Sequence, residues 1–219
     1  MTAGHLHANL AARRIFRYAE LAAVPAGSGD EPMVPAASYE PGILEASQDG
    51  EGVIVRDTVA RMLAAAATHL CDQGAQLRIA DGHRPAARQE RYFAEAWEMM
   101  RGRFPDLDDP ELREAVHALC AVPEVAGHPT GGAVDVTAVG DDGAELDMGS
   151  PLAGFDDLAL VPTFAPGLSQ TQRDNRALLH DAMVAAGFAP FYGEWWHFSY
   201  GDREWAAFYE QPAALYGPI

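Results

Sequence analysis

His128 and Asp135 enclose a Gly131-Gly132 pair, and this segment constrains the chain more than any other. Glycine reaches left-handed backbone conformations and close backbone approaches without steric cost. The loop carrying His128 is therefore expected to fold back sharply on the next segment. That segment, Ala133 to Val139, is apolar apart from Asp135 and Thr137 and reads as a strand. An aspartate in such a strand is costly to bury unpaired. Asp135 needs a partner, either a metal ion shared with His128 or an arginine.

Two further segments carry chemistry: Asp81-Gly82-His83-Arg84-Pro85 and Glu194-Trp195-Trp196-His197. A catalytic zinc takes three protein ligands and keeps one position for water. His128, Asp135 and His197 supply two imidazoles and a carboxylate, and zinc-activated water would need a carboxylate to take its proton. Glu194 is the candidate base. In a regular strand Glu194 and His197 would face opposite sides. Both reach one metal only if Glu194 sits in the turn at Gly193 or the strand bulges, and the turn is the expectation. Arg84 is a fixed cation suited to a developing oxyanion, with simple pairing to Asp81 as the alternative. The chemistry these residues suggest is metal-assisted amide hydrolysis. The same ligand set suits non-heme iron, which has no use for Glu194 or Arg84. A third reading is a non-catalytic module in which zinc only staples the fold.

Around these segments the pattern alternates helices with a few strands. Helices are expected over Asp57–Cys71, with Asp57 or Thr58 as cap and Gly74 as stop, over Ala86–Met100, after Asp109, and over Gln172–Ala186. Strands are expected at Leu77–Ala80, Ala133–Val139 and Trp195–Tyr200. The expected fold is α+β: a small, mostly antiparallel sheet flanked by helices, in one domain over 1–219. Residues 1 to about 52, rich in Ala, Gly, Pro and Ser, read as an irregular N-terminal wrap with a short helix before Ala26.

Charge excludes several functions. The 15 basic residues against 32 acidic ones leave a net charge of −17, which disfavours nucleic acid and anionic membrane surfaces as partners. All the basic residues are Arg, so Schiff-base lysine chemistry and the phosphate-loop lysine are absent. No secretory signal or membrane-length apolar run is visible, and a cytoplasmic location is expected. Cys71 and Cys120 read as two buried thiols, not a disulfide framework.

Taken together, the three segments closely resemble the D-alanyl-D-alanine dipeptidases, zinc enzymes associated with vancomycin resistance, and more broadly the zinc D,D-peptidases. The resemblance runs from about Val55 to Trp205. DGHRP is similar to the family's DGYRP, and HPTGGAVD to its HxxGxAxD. Leu146–Ser150, Asn175–Leu179, Gly187-Phe188 and the run from Glu194 to Arg203 resemble its later signatures. The resemblance implies one zinc ion per chain on His128, Asp135 and His197. It also implies Glu194 as base, Arg84 as the transition-state arginine and Asp156 as a candidate partner for the substrate ammonium. The implied substrate is the dipeptide D-alanyl-D-alanine; a D,D- or L,D-carboxypeptidase acting on cell-wall peptides is the alternative. Three departures bear on substrate preference. Ala126 stands where the family has a substrate-holding serine, His83 replaces the tyrosine of DGYRP, and about three residues are inserted before Phe155-Asp156.

Overall fold

The computed structural model describes residues 13–46 and 52–219. His5 and His7, which read from the sequence as surface or helix residues, lie outside them. In chain order the elements are helix α1 (Tyr18–Ala23), strands β1 (Met33–Pro35), β2 (Leu44–Glu45) and β3 (Ile54–Arg56), helix α2 (Asp57–Cys71), strand β4 (Ala75–Asp81), helices α3 (Ala86–Arg103) and α4 (Asp109–His117), strand β5 (Ala133–Gly140), helix α5 (Gln170–Ala185), strands β6 (Ala189–Pro190) and β7 (His197–Ser199), and helix α6 (Arg203–Phe208).

The fold is α+β, as expected. A five-stranded sheet runs in the order β2-β4-β5-β7-β6, and β1 and β3 form a separate antiparallel pair. Only β2 pairs in parallel, against β4; the other pairings in the sheet are antiparallel. The N-terminal wrap is thus less irregular than its composition suggests, because β2 extends the sheet. No helix of the described residues is long and apolar enough to cross a membrane.

Helix α2 forms because Val59, Leu63, Ala66 and Leu70 recur at helical spacing, and all are buried. They pack with Leu179 and Met183 of α5 against Leu77, Ile79, Val134 and Val136 of the sheet. These two helices cover one face and leave the other for the site. The start of α2 is capped from a distance, not by Asp57 or Thr58. The Glu31 carboxylate accepts from the Thr58 N–H at 3.0 Å and from Thr58 Oγ1 at 2.7 Å. Asp57 turns instead to Tyr39 and Arg61. Gly74 does close the helix, at φ +73°. Helix α4 begins with a reciprocal cap, Asp108 accepting from the Glu111 N–H and Glu111 from the Asp108 N–H. Cys71 is exposed and Cys120 partly buried, which corrects the expectation of two buried thiols. Cys71 closes the solvent side of α2, where the apolar stripe has turned away.

Candidate metal centre and its cavity

The register of three central strands builds the site. Asp81 of β4 pairs with Asp135 of β5, and Asp135 pairs with His197 of β7. On β4 this alignment depends on a bulge. Ile79 pairs with Val136, so regular continuation would set Ala80 opposite Asp135 and keep Asp81 on the core face with Ile79. The irregularity between Ile79 and Asp81 moves Asp81 into the Asp135 row. One inserted residue is enough to exchange the faces of a strand.

His128 comes from the loop before β5. Residues His128–Thr130 form one 3-10 turn, and Gly131 ends it in the left-handed region at φ +75°. Gly132 passes so close to β7 that a Cβ there would lie 2.3 Å from the Tyr200 carbonyl oxygen. The glycine pair therefore serves two needs, a backbone reversal and a close approach. Thr130 Oγ1 donates to the Gly127 carbonyl at 2.6 Å, and the Arg56 Nε–H donates to the Thr130 carbonyl at 2.8 Å.

The donor set fits a tetrahedral metal ion. His128 Nδ1 lies 2.7 Å from the Gly82 carbonyl oxygen. A carbonyl only accepts, so Nδ1 carries the proton and Nε2 offers its lone pair. That Nε2 is 3.4 Å from Asp135 Oδ1, and His197 Nδ1 is 2.9 Å from the same oxygen. Ligand bonds of about 2.0–2.1 Å in a tetrahedron give donor separations of about 3.3–3.4 Å. The three donor atoms lie within 4.8 Å of one another, the one such group among the described residues. Burial by itself would raise the Asp135 carboxyl. The two imidazoles outweigh that effect and hold it well below the ordinary carboxylate range.

Glu194 lies in the turn between β6 and β7, as expected. Its N–H donates to the Phe191 carbonyl at 3.2 Å. The side chain is buried, and burial first, then repulsion from Asp135, pushes its carboxyl well above the ordinary value against the pull of Arg84. Such a group holds a proton readily, which is what a base and later acid must do.

Arg84 is held on three sides. Its Nε–H and one terminal nitrogen donate to Asp81 Oδ2 at 3.0 and 2.8 Å, and that nitrogen also lies 3.4 Å from Asp135. The other terminal nitrogen donates to Gln89 Oε1 at 2.8 Å. The pairing with Asp81 and a place in the site are both realised. Gln89, buried at 2% exposure, donates in turn to the Ala121 carbonyl at 2.9 Å.

Metal donors, Glu194 and Arg84 all line one cavity of about 390 Å³. Ala126 lines it too, with no hydroxyl to offer a substrate. Asp156 does not: it is exposed and outside the lining, although its neighbour Phe155 is part of it. His83 is half-buried and also outside. Sequence reasoning missed Gln89, Asp202 and Glu204. Gln89 lies five residues beyond Arg84, one turn into α3, where a glutamine ordinarily faces water. Cys120 also lines the cavity; burial first, and Glu194 next, push its thiol up to about 12, so it is no nucleophile.

Comparison with known proteins bears on the same residues. The peptidase family described as Peptidase_M15, D-ala-D-ala dipeptidase, matches residues 42–214. A D-alanyl-D-alanine dipeptidase of Synechocystis sp. is 31% identical over 157 residues, which is 62% of this chain and 64% of that protein. One from Escherichia coli K12 is 32% identical over 126 residues, 57% of this chain and 55% of that protein. The match thus spans less than two thirds of the length of either relative. Among solved structures, the vancomycin-resistance D,D-pentapeptidase VanY in complex with Zn(II) aligns over 90% of this chain and 96% of its own, at a TM-score of 0.47 and 18% identity.

Proposed function

This chain belongs to the M15 D-Ala-D-Ala dipeptidase family, and from that premise we propose that it hydrolyses the dipeptide D-alanyl-D-alanine to two molecules of D-alanine, with one zinc ion held by His128, Asp135 and His197. The observation that carries the reading is the meeting, in one cavity, of three metal donors, a buried glutamate and a clamped arginine. Zinc supplies Lewis acidity there, making water nucleophilic near neutral pH and polarising the carbonyl.

The protein's own groups do the rest. Glu194 takes the proton from the attacking water and delivers it to the leaving amine as the C–N bond breaks. Its desolvated, electronegative surroundings suit it to both transfers. A guanidinium has five N–H donors. Arg84 uses four of its own on Asp81, Asp135 and Gln89. It thus faces the developing oxyanion already oriented, with a donor to spare and no reorganisation to undergo. Asp81 and Gln89 are positioning residues that act through Arg84.

The test is to offer zinc-loaded protein a panel of D,D-, L,D- and L,L-dipeptides beside one tripeptide, and to measure released amino acids. The expected result is release of D-alanine from D-alanyl-D-alanine and none from the tripeptide. Turnover of the tripeptide alone would move the protein to the carboxypeptidases. Iron on metal analysis, with oxygen-dependent turnover, would remove it from the hydrolases.

A further inference from the structure

Two of the three metal donors stand on paired strands, where the Asp135↔His197 register fixes them against each other. His128 alone stands on a turn, so its place depends on what holds that turn. Every backbone carbonyl from Gly127 to Gly132 has a donor. Two of these carbonyls have donors within the turn itself: Thr130 closes on the Gly127 carbonyl, and the Gly131 N–H on that of His128 at 3.0 Å. The remaining donors come from far along the chain. The Arg84 N–H also donates to the His128 carbonyl at 3.2 Å, the Tyr200 N–H to that of Gly132 at 2.9 Å, and the Ile219 N–H to that of Pro129 at 3.0 Å. Arg56 supplies two bonds. Its backbone N–H donates to the Gly131 carbonyl at 3.0 Å and its Nε–H to the Thr130 carbonyl at 2.8 Å.

Arg56 ends β3, in the two-stranded ribbon outside the main sheet, and is only 2% exposed. A buried guanidinium is costly unless its donors are used. One terminal nitrogen donates to the Glu31 carbonyl at 2.8 Å, and the Tyr216 ring centre lies 5.0 Å from the guanidinium carbon. Tyr216 is itself fixed, because its N–H and that of Leu215 donate to the Gly201 carbonyl at 2.9 and 2.7 Å. The same ribbon also supports the imidazole of His128. The Ile54 carbonyl accepts from the His83 N–H at 2.7 Å. Gly82 packs so closely on β3 that a Cβ there would lie 2.7 Å from the Ile54 carbonyl oxygen. The Gly82 carbonyl is the group that faces His128 Nδ1 at 2.7 Å. Arg56, Tyr216 and Ile219 are all outside the cavity lining.

We propose that Arg56 is a positioning residue of the metal centre. It acts through the His128 turn, with the Ile219 N–H as a second anchor, and sets zinc affinity and ligand geometry without touching metal or substrate. The inference rests on the reading of His128, Asp135 and His197 as zinc ligands. A displaced turn would move one donor and leave the other two on their ladder, spoiling the 3.4 Å separation of His128 Nε2 from Asp135 Oδ1. Lysine would keep the charge and lose the Nε–H aimed at Thr130.

The test measures zinc affinity of the whole chain by competition with a chelator, for the parent, Arg56→Met, Arg56→Lys and Ile219→Pro. Thermal melting of the metal-free and zinc-loaded forms accompanies it. Arg56→Met keeps the backbone N–H and removes the side-chain donors. It should weaken zinc binding by about tenfold or more and shrink the rise in melting temperature that zinc brings. Arg56→Lys should lose nearly as much. Ile219→Pro deletes one N–H from a residue whose side chain is exposed, and should weaken zinc binding a few-fold. With cobalt(II) in place of zinc, the visible bands of Arg56→Met should shift, since they follow ligand geometry. Should Arg56→Met fail to fold, Arg56→Lys and Ile219→Pro carry the same test. Equal falls in melting temperature with and without zinc, at parental zinc affinity and unchanged cobalt bands, would assign Arg56 to the fold alone and overturn the proposal. Parental zinc affinity in Arg56→Lys would overturn it too, since charge would then suffice. A parent that binds no zinc would end the metal-centre reading and this inference with it.

Discussion

The cavity lining holds buried charge on two opposite principles. In one case, Arg84 is surrounded by acceptors on β4, β5 and α3, and every charge has its partner before any ligand arrives. In the other, Asp202 and Glu204 are buried with no counter-charge among the described residues. Burial pushes both carboxyls up. For Asp202 the Trp205 N–H, Ser199 and the two metal-site imidazoles pull the other way; for Glu204 the Asp202 charge adds to the rise. The contrast separates two kinds of buried charge. A paired cation is preorganised for a charge that exists only in the transition state. An unpaired buried acid carries a desolvation cost that the rest of the fold must offset.

Four measurements would break or sharpen that contrast. The largest effect is expected at Glu194. Glu194→Gln should lower kcat by about 10³-fold or more, while D-alanyl-D-alanine still binds. A variant with near-parental kcat would remove the base from the scheme. At the paired cation, Arg84→Met should cost roughly 10²-fold in kcat/KM, with the larger share in kcat. Gln89→Leu should cost about tenfold in kcat with little change in KM, because it loosens Arg84 without touching substrate. A loss confined to KM would make Gln89 a contact residue instead.

The smallest effect is on stability at the unpaired acids, and its sign is opposite. The Glu204 carboxyl is raised by folding, so it stays protonated in the folded chain above the pH at which the unfolded chain ionises. Between the ordinary value of 4.5 and the raised one, the unfolded state binds fewer protons. Stability therefore falls as pH rises through that window. Glu204→Gln should stabilise the ligand-free protein at neutral pH, by roughly 1 kcal/mol, with the gain gone below pH 4.5. Melting curves at the two pH values check this. Destabilisation at neutral pH would mean that Glu204 has found a cation.

Much of this was legible from residues alone. His128, Gly131 and Asp135 read as a loop folded onto a strand because the conformational demand of a glycine turn is local. The turn position of Glu194 came from the strand period, and α2 from its apolar spacing. What failed were the placements set by distant neighbours. Glu31, not Asp57, caps α2, because the cap comes from another part of the chain. Asp156 follows an inserted stretch, and insertion length does not tell where the residues after it point.

The order of residues thus determined the inventory of this protein: which side chains can bind a metal, move a proton or carry fixed charge, and which local element presents each. Tertiary structure decided their company. A one-residue bulge on β4 brought Asp81 into the Asp135 row, Gln89 turned inward onto Arg84, and Asp202 kept one oxygen unclaimed beside the His128 loop. Conformational preferences act over a few residues, whereas burial and charge compensation depend on the segments that fold against a site. The second kind of information exists only once the chain has closed around it.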